Sequence, residues 1–118
     1  MDGTKRQLLA AAGIDVDDAL DRFLGNDALM IKFLLRFPQD GNFSRLRNAM
    51  AQSDAAGAFE AAHTFKGVVG NLSMQELFSQ VSAMVEDLRR GDLRTAAERM
   101  PALEKAYGQI LEALAQLA

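Results

Sequence analysis

Residues 55–72 read AAGAFEAAHTFKGVVGNL; they contain the chain's only histidine, His63, followed by Gly67 and Gly70. The apolar residues recur at helical spacing, which predicts one helix from about Ala55 to Leu72. On a wheel advancing about 100° per residue, Ala58, Ala61, Phe65, Val68, Val69 and Leu72 fall within roughly 60° of the direction opposite His63. That stripe is the expected core face, so His63 is expected to face solvent. Gly70 lies about 20° from His63 on one side and Gly67 about 40° on the other, with Lys66 about 60° away. Each glycine costs about 1 kcal/mol relative to alanine inside a helix. Two on one exposed face imply that a backbone or bulky partner comes close there. Lys66, at i+3, reaches a group attached to His63, and the combination suits a phosphate or carboxylate. Phe59 sits on the same side and is a candidate docking contact.

Working outward, every neighbouring segment also reads as helix. Asp15 caps a helix over Val16–Leu24, with Asp17 and Asp18 in its first turn and Gly25 as its C′ residue. Asn26 or Asp27 starts ALMIKFLLRF, which stops before Pro38. Asp40-Gly41-Asn42 is turn chemistry. A third helix runs from about Phe43 to Gln52, and Ser53-Asp54 breaks it and caps the helix of His63. Ser73-Met74-Gln75-Glu76 reads as a capping box opening a helix that ends at Arg90. Gly91-Asp92 starts the last helix, which Pro101 is expected to kink or split. Short connections make such helices antiparallel neighbours. The expected fold is all-α: an antiparallel up-down four-helix bundle with additional short N-terminal helices, one domain over 1–118 with a core about 15–117.

Composition narrows the function. The chain has 118 residues, 49% hydrophobic and 25% charged, with net charge −3 and no cysteine. The cysteine count excludes disulfides, thiolate metal sites and cysteine catalysis. No basic stripe suggests nucleic acid, and no run of about 18 apolar residues suggests a membrane span. The start of the chain does not have the order of a signal peptide. Glu60-Ala61-Ala62-His63 has the Glu-x-x-His spacing of di-iron bundles, but these need two such motifs facing inward. No HExxH, nucleophile elbow, Walker loop or G-x-G-x-x-G occurs. No metal and no cofactor is therefore expected.

Ala62-His63-Thr64-Phe65-Lys66-Gly67-Val68-Val69-Gly70-Asn71-Leu72 closely resembles the signature of histidine-containing phosphotransfer (HPt) domains, roughly A-H-x-L-K-G followed by small residues, an apolar residue and a glycine. GIDVDDALDRFLGNDALMIKFLLRF resembles the family's N-terminal helical segment, and EDLRRGD the end of its next helix. Phe65 stands where Leu or Ile is commoner. Ser73 stands where the family usually has glycine, a change that matters only if the turn needs positive φ.

The resemblance implies a phosphocarrier and not an enzyme in its own right. His63 would take a phosphoryl group from a receiver-domain aspartate and pass it to another. Lys66 would stabilise the phosphate, and Gly67 and Gly70 would make room for the receiver. Treating the third and fourth helices as a hairpin puts Arg45 level with His63; Arg45 and Arg89 are further candidate phosphate or docking contacts. The partners implied are a response-regulator receiver domain and a hybrid sensor histidine kinase, acting on a cytoplasmic monomer. The alternative is a bundle that docks a receiver or kinase without being phosphorylated.

Overall fold

The computed structural model describes residues 1–118. Seven α-helices follow in order: α1 Gly3–Ala11, α2 Val16–Arg22, α3 Asp27–Arg36, α4 Asn42–Ala51, α5 Ala55–Asn71, α6 Gln75–Arg89 and α7 Leu93–Leu117, with a 3₁₀ turn at Phe37–Gln39 between α3 and α4. Helices α4 to α7 pack consecutively through the short turns 52–54, 72–74 and 90–92. That is the up-down four-helix bundle expected from the connection lengths. α1 and α3 lie against α7, and α2 bridges α1 and α3. At about 1.5 Å per residue α7 spans most of the 43 Å long axis of the molecule.

Five helices end the same way. At Gly13, Leu24, Ser53, Ser73 and Gly91 the backbone has positive φ. The residue after each donates its N–H to a carbonyl five positions back, as in Gly25 to Leu20 at 2.8 Å and Met74 to Val69 at 3.0 Å. These are Schellman turns, in which a left-handed C′ residue satisfies the last carbonyls. They correct two expectations. Leu24, not Gly25, is the C′ residue of α2, which ends at Arg22, with Gly25 one place further on. The capping box does not form either. Ser73 has φ 55 and closes α5, while Met74 precedes α6 with no side-chain cap bond. The Asp15, Asn26, Asp54 and Asp92 carboxylates or amide do cap their helices as read.

The core runs the length of the bundle. Its centre is aromatic: Phe43 stacks on Tyr107 at 4.1 Å, and Phe65 lies 5.4 Å from Phe43 and 6.0 Å from Phe37. Phe65 is fully buried. Because it follows His63 by two residues, about 200° of helical rotation, its burial turns His63 outward. α7 stays one helix through Pro101 and does not split.

α1 was not foreseen as a helix, and packing reaches back past residue 15. Asp2 caps it, and Leu9 is its one buried side chain. Its loop to α2 is tied to the α5–α6 turn. The Asp15 N–H donates to the Ser73 carbonyl at 2.9 Å, and the Glu76 N–H to the Gly13 carbonyl at 3.3 Å. Gly13 is needed here, since φ is +87 and a Cβ would lie 2.7 Å from that of Glu76.

Candidate functional site

α5 presents His63 on its solvent face, opposite the buried Ala58, Ala61, Phe65 and Val69. One turn earlier Phe59 stacks on the imidazole, with ring centroids 5.9 Å apart and planes at 27°. Arg89, near the end of α6, holds its guanidinium 5.2 Å from the Phe59 centroid and pairs with Glu86 at 3.3 Å. Phe59 is half-buried, so its edge is held by the bundle while its face supports His63.

On the other side of His63 is a cleft of about 360 Å³. Its walls are His63, Lys66, Gly67, Gly70 and Asn71 from α5, Gln75 and Phe78 from α6, and Arg22 from α2. Its lining has two cations and no carboxylate; Arg22 is paired with Asp18 behind the wall, and Lys66, in no ion pair, is the charge that favours an anion there. The Lys66 ammonium sits 5.8 Å from the Phe78 centroid, a cation–π contact that biases the long side chain toward the cleft.

The two glycines do different work. A Cβ on Gly67 would meet nothing within 4 Å, so its surface is open beside His63. A Cβ on Gly70 would come to 3.0 Å from Phe78. The bulky neighbour that the bare Gly70 admits is therefore Phe78 of this chain, while Gly70 also lines the cleft beside His63.

Arg45 does not join the site. It lines a separate cleft with Glu60, Ala61 and Thr64, and bonds the Asn42 side chain at 3.3 Å. The hairpin argument set its level along α5 but not the side it faces. The cation that reaches the His63 cleft is Arg22, which sequence reasoning missed. Its Nε donates to Asp18 Oδ2 at 3.1 Å, and the Ser73 hydroxyl donates to the same oxygen at 2.6 Å. The Ser73 hydrogen bond and then Arg22 hold the Asp18 carboxyl below its ordinary pKa. The available signal was the i, i+4 pair Asp18–Arg22, but nothing in the sequence placed it beside α5.

No group of three His, Asp or Glu side chains is arranged to hold a metal ion, and no helix is long and apolar enough to cross a membrane. A family model described as Hpt domain matches residues 33–117. No curated protein and no solved structure matches the chain.

Proposed function

The chain belongs to the Hpt domain family, phosphocarrier modules of two-component phosphorelays, and from that premise we propose that His63 is the residue that carries the phosphoryl group. One observation carries the reading. The only histidine in the chain is exposed and shares with Lys66 a cleft that no carboxylate enters.

The donor is a phosphorylated aspartate on a receiver domain. The lone pair of Nε2, the imidazole nitrogen further from the backbone, attacks phosphorus in line. The N–P bond forms as the P–O bond to the aspartyl carboxyl breaks. The carboxylate leaves with the bonding pair, and the ring proton stays on Nδ1. The same step in reverse, onto the aspartate of another receiver, passes the group on. Such transfers go through a loose transition state with charge on the phosphoryl oxygens, so positioning and electrostatics do most of the work. Mg²⁺ and its acidic ligands come with the receiver. Lys66 offsets oxygen charge, and Phe59 stacked on the ring limits its rotation. Gly67 leaves an open step for the receiver's loops, with Phe59 and Arg89 at the edge of the docking face. On this reading residues 1–118 act as one domain, a cytoplasmic monomer served by a hybrid sensor kinase and its receivers.

Carriage is tested by a two-stage transfer. The protein is incubated with a phosphorylated receiver, isolated, and mixed with a second receiver. The reading expects acid-labile phosphate on the His63 peptide after the first stage and its loss after the second. A stable complex with no phosphohistidine would instead make the chain a docking module.

A further inference from the structure

The His63 cleft is built from three helices, and one of them lies before the span that matches the family. Arg22 ends α2 and lines the cleft. Only its Nε is bonded within the protein, to Asp18. A guanidinium carries five N–H donors in a planar fork, so the four on its terminal nitrogens have no partner in the chain. An exposed i, i+4 pair would ordinarily leave such a side chain free to wander. Here the pair is anchored. Ser73, 1% exposed, donates to the carboxylate oxygen that also holds Arg22. The α1–α2 loop is tied to the same turn by the Asp15–Ser73 and Glu76–Gly13 backbone bonds. The result is an arginine fork held at the wall of the cleft that Lys66 also lines.

We propose that Arg22 is a second phosphoryl-binding cation of this site, donating from its terminal nitrogens to phosphoryl oxygens on His63, and that Asp18 and Ser73 are its positioning residues. This rests on the reading of His63 as the phosphorylated residue. The ligand is a tetrahedral phosphoryl oxyanion held in a cleft lined by the Asn71 and Gln75 amides and by two cations, Arg22 as a fork and Lys66 as a point charge. It makes the N-terminal helices part of the working site rather than a cover for one end of the bundle.

The test loads the full chain from phosphoramidate, a small donor that needs no receiver, and follows phosphohistidine by ³¹P NMR against pH. A cation touching the phosphoryl group favours its more highly charged form. Arg22→Gln should move the phosphoryl ionisation to higher pH and shift the ³¹P resonance. It should also lower the equilibrium loading by about threefold to tenfold. Arg22→Lys should restore part of the change, and Asp18→Asn, which frees the fork without removing it, should fall between. Arg22 is exposed, so the fold is not at stake. If Arg22→Gln matches the wild type in ionisation and loading while Lys66→Gln departs, the assignment of Arg22 is overturned and the reading of His63 stands. If neither phosphoramidate nor a phosphorylated receiver puts phosphate on His63 in the wild type, both fall.

Discussion

The Phe78 ring lies against the bare Cα of Gly70, so closely that a Cβ there would be 3.0 Å from Cε1 and 3.1 Å from Cδ1. The same ring carries the Lys66 ammonium on its face. Gly70 therefore acts through Phe78: its missing side chain lets the ring settle, and the ring gives Lys66 a place to rest beside His63. Gly67, three residues earlier, has open space where a side chain would stand. The two positions should separate on substitution. Gly67→Ala should raise stability by about 1 kcal/mol, the helical preference for alanine. Gly70→Ala should gain less or lose, because Phe78 must move. Urea unfolding of the pair checks this, and equal gains would remove the packing role of Gly70.

Ser73 holds a left-handed conformation at φ 55 while almost fully buried. A non-glycine residue pays roughly 1 kcal/mol for that backbone. The hydroxyl bond to Asp18 offsets it. Ser73→Ala keeps the strain and loses the bond, whereas Ser73→Gly loses the bond and releases the strain. The glycine variant should therefore be the more stable of the two by roughly 1 kcal/mol. Thermal melts in which the alanine variant equals or exceeds the glycine variant would contradict this balance.

The same bond has a pH signature. The Ser73 hydroxyl, then Arg22, lower the folded-state pKa of Asp18. A depressed carboxyl contributes stability that is fully present above its unfolded value of about 3.9 and is lost as pH falls through the folded value. Asp18→Asn should thus lower stability at neutral pH and flatten its fall in acid. A variant whose acid limb runs parallel to the wild type would show that Asp18 does not contribute there.

Lys66 and Arg45 differ in which cleft they line. Lys66→Ala should slow phosphoryl transfer from a receiver on the order of tenfold, with the loss of one charged contact to the phosphoryl oxygens. Arg45→Ala should leave the rate within about twofold, since its cleft faces the other flank of α5. Rapid-quench transfer kinetics on both variants decide this. A large loss with Arg45→Ala would bring that face into the site.

Much of this was legible because α5 obeys a simple rule. A six-residue apolar stripe fixed its rotation, and the burial of Phe65 and Val69 confirms the face it chose. The exposure of His63 and the order of the bundle helices followed. The misses have physical reasons. α1 buries only Leu9, so its sequence carries almost no periodic signal. Leu24 and Ser73 adopt positive φ because Schellman hydrogen bonds outweigh their local preference. A serine before Met-Gln-Glu reads as a cap until the turn before it claims the residue. Arg22 reaches the cleft through contacts across more than fifty residues, between Asp18 and Ser73, and no local pattern records them.

The central claim is that His63 carries the phosphoryl group. The most direct measurement incubates the wild-type chain and His63→Gln with a receiver labelled on its aspartate, then follows the label on each. His63 is exposed and stacks only on Phe59 at the edge of the bundle, so the variant should fold. The account predicts that the wild type takes up acid-labile label as the receiver loses it, and that His63→Gln takes up none while its helical content and melting remain those of the wild type. Label that persists on the folded His63→Gln chain would contradict it.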